Sequence, residues 1–135
     1  LIDTVAPDGM VEDLRCPTVN GEVAAVFLKR RPAERRFANA NAEVRALDPG
    51  EALSADDRAL INAFCRAFGL DWGGVDVLRD RSSGAIWIVD ANKTDMGPPT
   101  ALPLPQKLDS ARAIGARLRT YCEQRLKAAR GCPTP

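Results

Sequence analysis

Asp76, Asp90 and Asn92 carry the clearest chemistry in the sequence. Asp76 falls in an apolar run, Val75 to Arg79, and Asp90 in a second, Ala85 to Ala91. The intervening Asp80-Arg81-Ser82-Ser83-Gly84 reads as a turn, so the two runs form a β-hairpin. A three-residue loop, Ser82-Ser83-Gly84, places Gly84 at the left-handed position such loops prefer and sets Arg81 opposite Ala85. Counting back along the ladder puts Asp76 opposite Asp90, with Asn92 on the same face two residues on. A one-residue slip in that loop turns Asp76 to the other face.

Two bare carboxylates about 4 Å apart repel by about 4 kcal/mol at an effective dielectric near 20, and opposed like charges destabilise a sheet. A hard divalent ion relieves the repulsion. Carboxylate and amide oxygens are the donors that magnesium or manganese takes, and magnesium keeps positions for water and phosphate oxygens. The plainer alternative is a pair of solvated polar residues on an exposed hairpin face.

A second cluster is cationic. Lys29, Arg30, Arg31, Arg35 and Arg36, offset by Glu34, sit in a chain whose 19 Lys+Arg and 18 Asp+Glu balance to +1. Lys29 and Arg31 share a strand face if the strand persists to Arg31; the alternative for the cluster is a solvated basic loop. Phe37 is the one aromatic residue interleaved there, which argues against a nucleic-acid stacking surface. Asn39 and Asn41 are expected to line the same cleft.

The chain contains no histidine, so His-dependent nucleophilic catalysis and His-ligated zinc lie outside its repertoire. Cys16, Cys65, Cys122 and Cys132 show no C-x-x-C spacing; two or more are expected to be small buried residues of a reducing, cytoplasmic compartment, with Cys132 an exposed thiol. At 135 residues, 45% hydrophobic and 27% charged, the chain is one globular domain without an apolar run long enough to span a bilayer. A start at Leu1, without Met or a secretory pattern, suggests a fragment or a processed chain.

The elements that must position these residues follow from local signals. Leu14 to Asn20 and Glu22 to Arg30 read as strands around an Asn20-Gly21 turn, the second covered on both faces. Pro17 implies an edge strand or a bulge. A basic loop runs from Arg31 to about Asn41. Ser54 opens a helix with Asp57 as its capping acid, Leu60, Ile61, Phe64 and Phe68 as its apolar stripe, and Gly69 as its stop. The proline-rich segment Lys93 to Lys107 reads as an irregular loop. Asp109 caps a long final helix with Ala111, Ile114, Leu118, Cys122, Leu126 and Ala129 on its buried side; Gly131 to Pro135 is a tail. Trp72 and Trp87 are assigned to packing. The order gives an α+β domain, an antiparallel sheet with helices packed on one face.

The run Gly69-Leu70-Asp71-Trp72-Gly73-Gly74-Val75-Asp76-Val77-Leu78-Arg79-Asp80, with Ile86-Trp87-Ile88-Val89-Asp90-Ala91-Asn92-Lys93-Thr94, resembles the C-terminal segment of ATP-grasp proteins, the superfamily of glutathione synthetase and D-alanine:D-alanine ligase. Its outer parts are similar too: Asp13-Leu14-Arg15 and Val26 to Pro32 resemble the strands after the adenine-binding hinge, so the likeness spans most of Asp13 to Pro99. The resemblance implies that Asp76, Asp90 and Asn92 hold Mg2+ (or Mn2+) bridging ATP phosphates, and that Lys29, Arg30 and Arg31 contact phosphate. It implies residues 1–130 as the C-terminal part of an ATP-grasp domain whose N-terminal part is missing, from a carboxylate-amine (or thiol) ligase acting through an acyl phosphate. Its partners would be ATP and a carboxylate, with neither nucleic acid nor membrane involved; the isolated chain would be inactive. Three departures matter: Gly74 stands where many ligases have an arginine, Asp90 is a methylene shorter than the usual glutamate, which metal binding tolerates, and Asp95 stands where related sequences often have proline. A nucleotide-binding module without ligase activity, and a structural domain without a metal site, are the two alternatives.

Overall fold

A computed structural model describes residues 2–38, 40–94 and 97–130. Among these residues six strands form one antiparallel sheet: β1 (Met10–Val19), β2 (Glu22–Val23), β3 (Val26–Pro32), β4 (Glu43–Leu47), β5 (Trp72–Arg79) and β6 (Ile86–Asn92). The order is β4-β3-β1-β5-β6, with β2 paired to β1. Among the described residues, three α-helices complete the fold: α1 (Pro49–Ala52), α2 (Ala55–Phe68) and α3 (Leu104–Arg130).

The Asn20-Gly21 turn forms as expected, both residues having positive φ (54° and 73°). Beyond it the second strand breaks. β2 pairs with β1 in the register Thr18↔Val23, whereas β3 takes Arg15↔Phe27, one residue out of step, and Ala24 donates its N–H to the Pro17 carbonyl at 2.8 Å. Pro17 therefore sits at an irregularity, which tolerates its missing donor, and not at an edge: β1 is the central strand, flanked by β3 and β5. The basic segment is shorter than expected, because β3 runs on to Pro32 and a 3-10 turn spans Ala33–Arg35. Strand β4 and helix α1 carry too few apolar residues to be legible in advance.

Helix α2 follows its sequence signals closely. Ser54 Oγ accepts from the Asp57 N–H at 3.1 Å, Asp57 Oδ2 accepts from the Ser54 N–H at 3.0 Å, and Gly69 closes the helix at φ 65°. Its buried side is narrower than the expected stripe. Ile61 and Cys65 are buried, while Leu60 and Phe68 are about half exposed. Arg79 on β5 donates to Asp57 at 2.9 Å and ties the helix to the sheet. Burial opposes ionisation of Asp57, but the bonds from Arg79 and Ser54 outweigh it and hold the carboxyl below its ordinary value of 3.8. Its contribution is therefore present above that value and is lost as the pH falls through the depressed one. Asp57→Asn is expected to lower the unfolding free energy by about 1 kcal/mol at neutral pH, and the deficit should shrink in urea titrations run at progressively more acidic pH.

One face of the sheet, carrying Leu14, Cys16, Val26, Val75 and Val77, packs against Leu53, Ile61, Cys65 and Leu70. This is the antiparallel sheet with a helix packed on one face. Residues of alternate parity, Val19, Phe27 and Val44, instead gather Leu102 and Ile114, so α3 covers one end of the opposite side. Here α3 differs from its expected limits. It begins at Leu104, not at Asp109, because Pro105 sits in a first turn whose N–H groups need no partner and Pro103 lies just before it. Only Ile114 of the expected stripe is buried; Leu118 is partly so, and Ala111, Cys122, Leu126 and Ala129 face solvent. Cys16 and Cys65 are buried free thiols, as expected, and burial pushes Cys16 up to about 12. Asn39, Asp95, Cys132 and the expected tail lie outside the described residues. Among the described residues, no helix is long and apolar enough to cross a membrane.

Candidate functional site

The part of the sheet that α3 leaves open carries the chemistry. On β1, Asp13 and Arg15 project from the same side as Lys29 and Arg31 on β3 and Asp76 on β5, through the pairs Asp13↔Lys29, Val11↔Arg31 and Arg15↔Asp76. Asp76 lies opposite Asp90, as expected, but by another route. Next to the turn the pairs are Arg79↔Ile86 and Val77↔Ile88, one residue out of step with the expected register. The loop is correspondingly longer: Asp80 donates to the Ala85 carbonyl and Gly84, at φ 74°, donates to that of Asp80. That register alone would set Val89 against Asp76 and turn Asp90 to the core side. A bulge between Asp76 and Val77 absorbs Val89 and restores Asp76↔Asp90.

Charges alternate across this surface. Arg31 bonds Asp13, Lys29 Nζ lies 2.8 Å from Asp13 Oδ1 and 3.1 Å from Asp76 Oδ1, and Arg15 Nη1 lies 3.3 Å from Asp76 Oδ2. The row Arg31–Asp13–Lys29–Asp76–Arg15 thus satisfies like-charged neighbours through interposed opposite charges. Asp13 is buried, and its Oδ1, although ion-paired with Lys29, has no partner in hydrogen-bond geometry. Arg31 also donates to Asn41 Oδ1 at 2.8 Å and to the Arg36 carbonyl, which folds the basic loop over the sheet.

A cavity of about 530 Å³ opens above this row, lined by Asp13, Lys29, Arg31, Asn41, Asp76 and Asp90 among others. Lys29, Arg31 and Asn41 thus meet the acidic pair in one space. Arg30 is not brought there. Its side chain alternates to the other face and donates to Asp8, Glu12 and Glu43 at 2.6, 3.0 and 2.9 Å. Those bonds, Asp8 first, raise its affinity for its proton further. Asn92 stands beside Asp90 and donates Nδ2 to its Oδ2 at 2.7 Å. Trp72 packs near α3, whereas Trp87 is half exposed and not in the core.

The oxygens of Asp76 and Asp90, with the amide oxygen of Asn92, are hard donors on one face and suit magnesium or manganese in kind. Among the described residues, no group of three His, Cys, Asp or Glu side chains is placed to hold a metal. Two carboxylates and an amide are therefore an incomplete shell, which water or phosphate oxygens would have to finish. Sequence reasoning missed Asp13 and Arg15. Their advance signal was the run Asp13-Leu14-Arg15 in the resemblance, which carried no site role for either side chain. Gly74, where the resemblance implies an arginine, lies beneath the Arg15 guanidinium: a Cβ there would stand 2.9 Å from Arg15 Cζ.

No family model matches the chain, and no curated protein matches it. Among solved structures it is similar to the ATP-grasp ligase PsnB, complexed with a phosphomimetic variant of a minimal precursor, Mg and ADP. The identity is 16% and the TM-score 0.52, over 79% of this chain and 33% of that one. The chain thus spans about a third of the length of that ligase. At this identity the likeness is one of architecture, and the chain has the fold of part of an ATP-grasp ligase.

Proposed function

We propose that this chain is the metal- and phosphate-binding part of an ATP-grasp ligase that joins a carboxylate to an amine or thiol. The observation that carries the reading is the bulge-dependent opposition of Asp76 and Asp90 beneath a cavity that also receives Lys29 and Arg31. Its support from elsewhere is the shared fold with a ligase whose structure holds Mg and ADP.

In this reading Asp76, Asp90 and Asn92 hold the ion. Bound magnesium would supply charge neutralisation at the phosphate oxygens. Lys29 and Arg31 face the transferring phosphoryl group and stabilise the charge it develops. A substrate carboxylate oxygen bonds to the γ-phosphorus as the bond to ADP breaks. The amine or thiol then attacks the acyl carbon and phosphate leaves. No side chain needs to shuttle a proton at a finely tuned pKa in the first step, which suits a chain without histidine. Asp13 is a positioning residue: it holds Lys29 and Arg31 from below.

One observation favours a second reading, a nucleotide-binding fold without ligase activity: Gly74 stands where the resemblance implies an arginine. The two differ in turnover, not in binding, so binding is tested first. Micromolar Mn2+ with ADP added to the isotope-labelled chain is expected to broaden the amide resonances of Asp76, Val77, Asp90 and Asn92 before others. Uniform broadening, or none, would remove the metal site and both readings with it. We expect the isolated chain to bind without turning ATP over.

A further inference from the structure

Helix α3 meets the sheet along one narrow face. Ser110 and Ile114 are buried there, and Tyr121 packs on the same side. At 100° per residue, a second apolar line runs about a quarter turn from that face. It consists of Leu104, Leu108, Ala111, Gly115, Cys122 and Leu126. All six are exposed, the three leucines at 66%, 47% and 57%. A continuous apolar line of this length on a surface helix marks an interaction surface.

Two features say what covers it. The line is symmetric about Gly115: Leu104 and Leu126 lie eleven residues to either side, and Leu108 and Cys122 lie seven. Among the described residues nothing calls for glycine at 115. A Cβ there would meet no atom within 4 Å, although glycine is disfavoured in a helix interior. A two-fold axis through Gly115 accounts for both. It sets a second helix antiparallel, with Leu104 level with Leu126 of the other copy and Leu108 level with its Cys122. The two glycines then allow the backbones to approach closely.

We propose that α3 forms the interface of a two-fold, antiparallel dimer of this chain, its helices crossing at Gly115. The seam is about 33 Å long and about 10 Å wide, less than the roughly 800 Å² per partner of a standard stable interface, so the association is reversible. Arg112 and Arg119 border the seam on its outer side, and the two-fold brings Arg112 of one copy beside Arg119 of the other. Asp109, 3.2 Å from Arg112, offsets part of that repulsion. The dimer should therefore tighten as salt screens the remainder.

Sedimentation velocity of the full chain from about 1 to 200 µM is expected to show monomer passing into dimer. Gly115→Leu enlarges the apolar line, so general stickiness would rise, whereas a close crossing would be lost. We expect at least a tenfold weaker dimer. Leu126→Glu enters twice across the axis and should weaken it about 100-fold, while Ala113→Glu, on the opposite side of the helix, should change little. All three positions are exposed, so the variants should fold, and melting curves of dilute monomer check that they do.

Oxidative cross-linking fixes the direction. With Cys132→Ser throughout, each Cys122 lies fourteen residues, about 21 Å, along the seam from its counterpart, too far for a disulfide. Leu108→Cys places a thiol across from Cys122 of the other copy. That variant should form interchain disulfides, and adding Cys122→Ser should abolish them. A parallel pair would instead bridge through Cys122 without Leu108→Cys. That pattern, a dimer that salt dissolves, or a Gly115→Leu dimer as tight as the original overturns the proposal. A monomer at every concentration overturns it too, and leaves a different protein or another segment of a longer chain to cover the line.

Discussion

Gly73→Ala is expected to be the most destabilising single-methyl change in the sheet, costing about 3 kcal/mol and lowering the melting temperature by roughly 10 °C. A Cβ at this position would stand 2.1 Å from the Asn92 carbonyl oxygen and 2.7 Å from Leu70 Cδ1. The first contact is with backbone, so relief requires that the end of β6 move away from β5. That motion would carry Asn92 and the adjoining Asp90 away from Asp76, coupling a core strain to the site. The comparison variant is Gly84→Ala. It meets nothing within 4 Å and suffers only from its left-handed φ of +74°, so it should cost about 1 kcal/mol. Urea unfolding of both variants measures the difference. Equal losses would mean that β6 is not pinned where Gly73 meets it.

The second large effect is chemical. Asp76→Asn retains the size of the side chain and an oxygen that Arg15 and Lys29 can still approach, but it removes the charge at the centre of the row. Binding of ADP with Mn2+ should weaken on the order of 100-fold, about 2 to 3 kcal/mol for loss of a charged contact. The cost in stability should be near 1 kcal/mol, because Lys29 keeps Asp13 as a partner. Asp80→Asn is the matched control, a carboxylate in the β5–β6 turn whose oxygen accepts from Ser82. Calorimetric titration of the two variants separates a site effect from a general loss of negative charge. If Asp76→Asn binds as the unaltered chain does, the acidic pair is not a metal site.

Local chemistry was legible in the sequence wherever neighbours in the chain are also neighbours in space. The Ser54–Asp57 box, the Gly69 stop and the Asn20-Gly21 turn each need only a few consecutive residues, and each forms as read. The buried thiols Cys16 and Cys65 follow from composition and context. The pairing of Asp76 with Asp90 was reached through a three-residue turn that does not form; a longer turn and a compensating bulge give the same pair. Bulges respond to twist and packing across several strands, which no short window of sequence contains.

What only the tertiary structure decided is how distant segments share one surface. Asp13, Lys29 and Asp76 belong to three strands, and only the order β3-β1-β5 brings them into contact. Strand parity then sorts neighbours in sequence onto opposite sides, sending Arg30 to Asp8, Glu12 and Glu43 while Lys29 and Arg31 enter the cavity. The start of α3 at Leu104, within a proline-rich segment, likewise depends on where Leu102 and Ile114 find the sheet. The sequence by itself determined the kinds of charge and the local turns. The sheet order, its bulge and the path of Arg15 over Gly74 determined which of those charges meet, because ion pairing acts over a few ångströms of space and is indifferent to distance along the chain.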